Sequence, residues 1–129
     1  MYYIGETARI SGVSAKQIRY YESIGLLSKT RRQENGYRVY DERQVHELRF
    51  IKSARQLGFP IKQVRELLNL WRNKRRASSK VRALAERHRD AIEERMNGHL
   101  AIVEVLNRLI EKCSGDERPD CPIIDELSR

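Results

Sequence analysis

Ser11-Gly12-Val13-Ser14-Ala15-Lys16-Gln17-Ile18-Arg19-Tyr20-Tyr21-Glu22-Ser23-Ile24 is the stretch on which the reading of this chain turns. Gly12 tolerates positive φ, so Ser11 to Ser14 reads as a tight turn. Ser14 can cap a helix running from Ala15 to Ile24. On that helix Ile18 shares one face with Tyr21 or Glu22, while Lys16, Gln17, Arg19 and Tyr20 project elsewhere. Ahead of the turn, Ile4 to Ile10 reads as a short helix with Ile4, Ala8 and Ile10 inward. Two helices about a glycine turn within about 20 residues form the helix-turn-helix pattern.

Working outward, Gly25-Leu26-Leu27 ends the second helix. The segment Thr30 to Tyr40 holds Asn35-Gly36, a strong hairpin signal. Tyr37, Val39 and the residues around Arg31 make its short strands. The expected result is a wing with Arg31, Arg32 and Arg38 near its tip. Asp41 can cap a helix from Glu42 to Leu57 whose inner stripe is Val45, Leu48, Ile51 and Ala54. Gly58-Phe59 stops that helix. Pro60 suits the first turn of the next, which reaches Trp71 with Ile61, Val64, Leu67, Leu68 and Trp71 inward. Residues 1–72 are therefore expected to be a winged helix-turn-helix domain in a mainly α chain.

Asn73 to Ser79 is polar, and Ser78 or Ser79 is placed to cap a helix continuing to Lys112, on the order of 50 Å long. Ile92, Met96, His99, Val103, Leu106 and Ile110 recur at spacings of four and three along it. Val81, Leu84, His88, Ala91, Ile102, Val105 and Leu109 flank that line. Residues 73–112 thus predict a linker and a coiled-coil helix that pairs with its own copy, parallel or antiparallel. His88 and His99 fall on the apolar stripes and read as packed interface residues. Residues 113–129 form a polar loop, Cys113 to Cys121, and a short final helix, Pro122 to Leu127.

The chain has 129 residues, enough for about one domain's core, with 34% charged residues. Its mean hydropathy is −0.71. No run approaches the roughly 18 apolar residues of a membrane helix, and no signal-peptide pattern opens the chain. A cytoplasmic location with no membrane partner is expected, and there thiols stay reduced. The net charge of +8 is uneven: residues 1–72 hold 14 Lys/Arg against 7 Asp/Glu, and residues 73–129 hold 12 against 11. A basic front half suits a polyanion, nucleic acid above all. Cys113 and Cys121 are the only thiols. Without a third cysteine or a loop histidine they fall short of a four-coordinate zinc site and suit a soft monovalent ion. A disulfide or two inert thiols is the plainer alternative. No Ser/His/Asp set, paired carboxylates or phosphate-cradling glycine loop suggests an enzyme.

Ile4-Gly5-Glu6-Thr7-Ala8, Ile18-Arg19-Tyr20-Tyr21-Glu22-x-Ile24-Gly25-Leu26, Asn35-Gly36-Tyr37-Arg38-x-Tyr40 and Ala54-Arg55-x-Leu57-Gly58-Phe59 together resemble the MerR family of bacterial transcription regulators. The loop Cys113-x-Gly115-Asp116-x-x-Pro119-Asp120-Cys121-Pro122-Ile123 looks like that of its CueR-like branch, responsive to copper, silver or gold. The resemblance implies a homodimer held by an antiparallel coiled coil on an over-spaced promoter. Its metal-bound form undertwists the DNA so that RNA polymerase engages both promoter elements and transcribes efflux or resistance genes, which is indirect readout used as a switch.

Carried over position by position, Lys16, Arg19 and Tyr20 meet the major groove and its phosphates. Tyr37 and Arg38 in the wing, with Arg55, fall where the family makes backbone contacts; Arg31 and Arg32, near the wing tip, are further DNA-binding candidates. Cys113 and Cys121 fall on the metal thiolates, with Cu(I), Ag(I) or Au(I) as effector. Ser78 falls where sensors of divalent ions place a third cysteine, and Arg82, one turn on, can offset the charge of a two-thiolate centre. A thiol redox-responsive or metal-independent DNA-binding protein is the alternative.

Overall fold

The computed structural model describes residues 1–28 and 31–129, with Arg31 described through its backbone alone. The order of elements is α1 (Ile4–Ser11), α2 (Ala15–Ser23), β1 (Arg31–Arg32), β2 (Arg38–Val39), α3 (Glu42–Gln56), α4 (Ile61–Arg72), α5 (Ser78–Lys112) and α6 (Pro122–Leu127). Two compact units divide the chain, Met1–Leu84 and Ala85–Arg129. None of the helices among the described residues is long and apolar enough to cross a membrane.

In the first unit the turn between α1 and α2 forms as its sequence requires. Gly12 closes α1 at φ 76° and donates its N–H to the Ala8 carbonyl. A Cβ at Gly12 would come within 2.4 Å of Lys52 Nζ, the movable tip of a flexible side chain, so it is the positive φ that makes a side chain there strained. Ser14 caps α2 by accepting from the Gln17 N–H at 3.2 Å. Asp41 and Gln44 exchange side-chain and backbone bonds in a full capping box at the head of α3.

The core gathers Ile18 and Tyr21 of α2, Leu26, Tyr40, Leu48 and Ile51 of α3, and Val64 and Leu68 of α4, all buried. Burial of such side chains stabilises by about 1.5–3 kcal/mol each, before the cost of ordering them. Three expectations shift in detail. On α1, Ile4 and Ala8 pack partly against the core, but Thr7 and Ser11 are the buried residues. Ile10 stays outside that cluster. Burial of the two polar side chains is tolerated because each bonds locally: Thr7 Oγ1 donates to the Tyr3 carbonyl at 2.8 Å, and Ser11 Oγ accepts from the Val13 N–H at 3.2 Å. Pro60 stands just before α4 as its cap, with its carbonyl accepting from Val64 at 2.9 Å. Trp71 is 38% exposed, yet its ring stacks on Phe50.

A charged cluster that the sequence pattern conceals fastens this unit. Glu47 is only 1% exposed. It accepts from Arg72 Nη2 at 2.9 Å, from Arg43 Nε at 3.5 Å, and from the N–H and hydroxyl of Ser28. Arg72 also donates to the Leu26 carbonyl at 2.7 Å. The chain leaving α2 is thereby tied to α3 and α4 before it enters the wing.

The wing is the two-stranded ribbon expected, except that Tyr37 lies in the turn region ahead of β2 and outside the strand. Its strands are two residues long and antiparallel, with Arg31 opposite Val39 and Arg32 opposite Arg38. Gln33 donates to the Tyr37 carbonyl across the turn at 2.9 Å. Tyr2 extends the ribbon on its other side, exchanging both backbone bonds with Tyr40 at 2.8 Å.

In the second unit, the main part of α5 carries Ile92, Met96, Leu100, Val103, Leu106 and Ile110 on an exposed face. His88 is buried, whereas His99 is exposed among these apolar residues. α5 itself begins at Ser78, and the Ala77 carbonyl opens its ladder by accepting from Lys80. α6 starts with Pro122 in its first turn, where a missing N–H costs nothing.

Candidate functional site

Because Ile18 and Tyr21 are drawn into the core, the helical period turns the rest of α2 outward. Lys16, Arg19 and Tyr20 are all exposed, Tyr20 to 51%. Arg19 reaches a cleft of about 730 Å³ lined by Tyr3, Ile4, Arg32, Asn35, Gly36, Tyr37 and Arg38. Helix and wing thus bring three of the expected cations, Arg19, Arg32 and Arg38, to one opening. Lys16, Tyr20 and Arg55 do not line it. Arg55 is exposed at the end of α3 and donates to the Phe59 carbonyl at 2.9 Å. The Arg31 side chain lies outside the described residues.

The cleft is shaped by aromatic and polar contacts. The Tyr3 ring meets Tyr37 edge to face at 6.2 Å, and its hydroxyl donates to Gln33 Oε1. Asn35 Oδ1 accepts from the Tyr37 N–H at 3.1 Å, and Gly36 takes φ 83° to complete the turn. Arg38 Nη1 pairs with Glu22 Oε2 at 3.1 Å, and the Tyr40 hydroxyl donates to Glu22 Oε1. Burial, and then the Glu22 carboxylate, push the Tyr40 phenol well above its ordinary pKa. Guanidinium forks beside tyrosine hydroxyls are suited to phosphate oxygens, contacts that position a protein on a duplex. Tyr3, Asn35 and Glu22 were not among the expected site residues. Tyr3 precedes the first helix by one residue and Asn35 reads only as a turn former, so neither carries a binding signal in the sequence.

The second candidate site lies in the other unit. Cys113 follows α5, and Cys121 caps α6. Both thiols are free and half-buried, with their sulfurs 3.7 Å apart. That is far beyond a disulfide bond of about 2.05 Å. The N–H groups of Ile124 and Ile123, together with the Cys113 thiol, hold the Cys121 thiol below its ordinary pKa, although partial burial opposes them. Between the cysteines the loop is self-braced. Asp116 pairs with Arg118 at 2.8 Å and accepts from Ser114, and Arg118 holds the Asp116 carboxyl below its usual range. Gly115 turns the chain at φ 66°.

Among the described residues no group of three or more His, Cys, Asp or Glu stands ready for a metal. The donor set is two soft sulfurs, one poised toward thiolate, which fits a soft, low-coordinate ion better than zinc. Cys113 and Cys121 are the residues that would hold such an ion, and it would supply positive charge between their sulfurs. Ser78 and Arg82 lie one turn apart at the start of α5, both exposed.

Residues 2–71 match the family described as MerR HTH family regulatory protein, and residues 45–109 match MerR, DNA binding. The chain is 49% identical over 125 residues to heavy metal-dependent transcription regulator 2 of Rhizobium meliloti, covering 97% of this chain and 85% of that protein. It is 38% identical over 125 residues to the HTH-type transcriptional regulator CueR of Salmonella typhimurium, covering 97% and 91%. Among solved structures, a transcription regulator from Ralstonia metallidurans in complex with lead(II) superposes with a TM-score of 0.88 at 30% identity, covering 98% of this chain and 99% of that one. The chain belongs to the MerR family of helix-turn-helix DNA-binding transcription regulators.

Proposed function

We propose that this chain is a metal-responsive transcriptional activator that acts as a homodimer on promoter DNA in the cytoplasm. Its effector is Cu(I), Ag(I) or Au(I), held by Cys113 and Cys121. The observation that carries this reading is the pair of free sulfurs 3.7 Å apart, with no third ligand beside them among the described residues, in a chain that also bears a DNA-binding module. The two curated relatives described above, one heavy metal-dependent by name and one CueR, support a metal effector.

Each part has a stated role. Lys16, Arg19 and Tyr20 enter the major groove, while Arg31, Arg32, Tyr37, Arg38 and Arg55 engage the backbone. The exposed apolar face of α5 pairs with a second copy, antiparallel, as a heptad-like stripe requires a partner. Cys113 and Cys121 would hold the ion, which would offset one of their two thiolate charges, and Arg82 at the start of a second copy's long helix would face the charge that remains. α6 then docks through Ile123, Ile124 and Leu127, and the dimer distorts the promoter so that RNA polymerase engages it to transcribe efflux or resistance genes. Metal acts only through its differential affinity for the two dimer states.

A divalent effector is the competing reading, favoured by the lead(II)-bound neighbour. Serine at position 78 removes the extra soft ligand that a divalent ion would use. X-ray absorption on protein loaded with Cu(I), alongside run-off transcription with each metal, tests the assignment. Two sulfur neighbours and Cu(I)-dependent transcripts are expected; four ligands, or a response confined to Pb(II) or Zn(II), would refute it.

A further inference from the structure

Glu22 stands on α2, the helix whose outer face carries Arg19 and Tyr20. A carboxylate so close to a phosphate-binding surface repels the ligand, and that repulsion must be offset by some gain. Its side chain is only 12% exposed, and both its oxygens are engaged: Oε2 by Arg38 Nη1 at 3.1 Å and Oε1 by the Tyr40 hydroxyl. Both partners belong to the wing, one in β2 and the other just beyond it. The wing needs such support, because its strands pair over two residues each and a short two-stranded ribbon is not stable alone.

We infer that Glu22 is a positioning residue for DNA binding, whose carboxylate clamps Arg38 and Tyr40 to the recognition helix and so fixes the spacing between Arg19 and Arg38 across the cleft. A guanidinium has five N–H donors, so the bond to Glu22 leaves a fork for a phosphate. Rotamer freedom given up to Glu22 beforehand is not lost again on binding. The inference rests on the reading of Arg38 as a DNA contact.

The test uses the full chain and a duplex selected by it from a random DNA pool, with affinity measured across salt concentrations for Glu22→Ala, Glu22→Gln, Arg38→Ala and the Glu22→Ala/Arg38→Ala double variant. Glu22→Ala should weaken binding roughly tenfold, and Glu22→Gln, which keeps an acceptor in place, should recover most of the loss. With Arg38 already alanine, removing Glu22 should cost less than about twofold more. Amide exchange at Gln33, whose N–H crosses the wing turn to Tyr37, should quicken in Glu22→Ala. Tighter binding by Glu22→Ala would show that the carboxylate only repels phosphate, and an undiminished tenfold loss in the Arg38→Ala background would show that it does not act through Arg38. Either result overturns the inference. Unchanged binding by Arg38→Ala alone would instead refute the DNA-contact reading, and the positioning role with it.

Discussion

Arg72 reaches from the end of α4 to Glu47 in the middle of α3, closing a 2.9 Å ion pair around a carboxylate that is almost wholly out of water. Removing Arg72 would leave this buried carboxylate with only the more exposed Arg43 and Ser28 as partners. Arg72 is 29% exposed, so solvent softens the penalty. Arg72→Ala should lower unfolding stability by about 2–3 kcal/mol. Arg43→Ala should cost under about 1 kcal/mol, since the Arg43 side chain is 69% exposed. Urea unfolding of the two variants decides this; equal losses would show that the cluster is not organised around Arg72.

Arg19 lines the cleft from the helix side, Arg38 from the wing. Arg19→Ala should weaken binding to a selected duplex by about 1–3 kcal/mol and relax its sequence preference if Arg19 reads a base edge. Arg38→Ala should weaken specific and random DNA alike and flatten the salt slope by about one unit. Competition assays against random DNA check both. Equal loss on the two DNAs for Arg19→Ala would reassign it to phosphate.

Cys113→Ser and Cys121→Ser should each abolish Cu(I)-dependent transcription while leaving DNA affinity within about threefold, because the cysteines and the cleft belong to different units. Ser78→Cys should add a soft ligand and extend the response toward Zn(II), Hg(II) or Pb(II). Metal titrations with transcription as readout report both. A Cys113→Ser protein that still responds to Cu(I) would remove the thiol pair from the mechanism.

Tyr40 gives a pH dependence whose sign follows from its shift. The phenol is charged when it loses its proton, and the fold favours the neutral form. Its contribution is complete below the ordinary tyrosine value of about 10 and falls as pH rises beyond it, because the unfolded chain releases the proton first. Urea midpoints from about pH 9 to about pH 11 should therefore decline in wild type and decline less in Tyr40→Phe. Parallel curves for the two proteins would contradict this.

Much of the fold was legible because its signals are local. Gly12 and Ser14 determine the first turn, Asn35-Gly36 the hairpin, and Asp41 the head of α3, each through backbone conformation or a short-range bond. The apolar periods of α3 and α4 then mark their core faces. What could not be read depends on side chains distant in sequence. Glu47 pairs with Arg72, Glu22 with Arg38, and Tyr3 with Gln33 across separations in sequence that a periodicity argument does not span, even where, as for Glu22, it offers the inner face. Trp71 was placed inward by its period, and half of that is true: one face stacks on Phe50 while the residue remains 38% exposed. At the thiol loop the two cysteines stand out in the composition, but their separation and the N–H groups facing Cys121 required coordinates.

The backbone exchange between Tyr2 and Tyr40 has a practical side for anyone handling this protein. It ties the second residue, which lies outside every helix, to the backbone that leaves the wing. A tag fused next to Met1 would stand beside this bridge and close to Tyr3, which lines the cleft. Affinity measured on such material would describe the handle as much as the regulator, and a cleavable or internal label is the sounder choice.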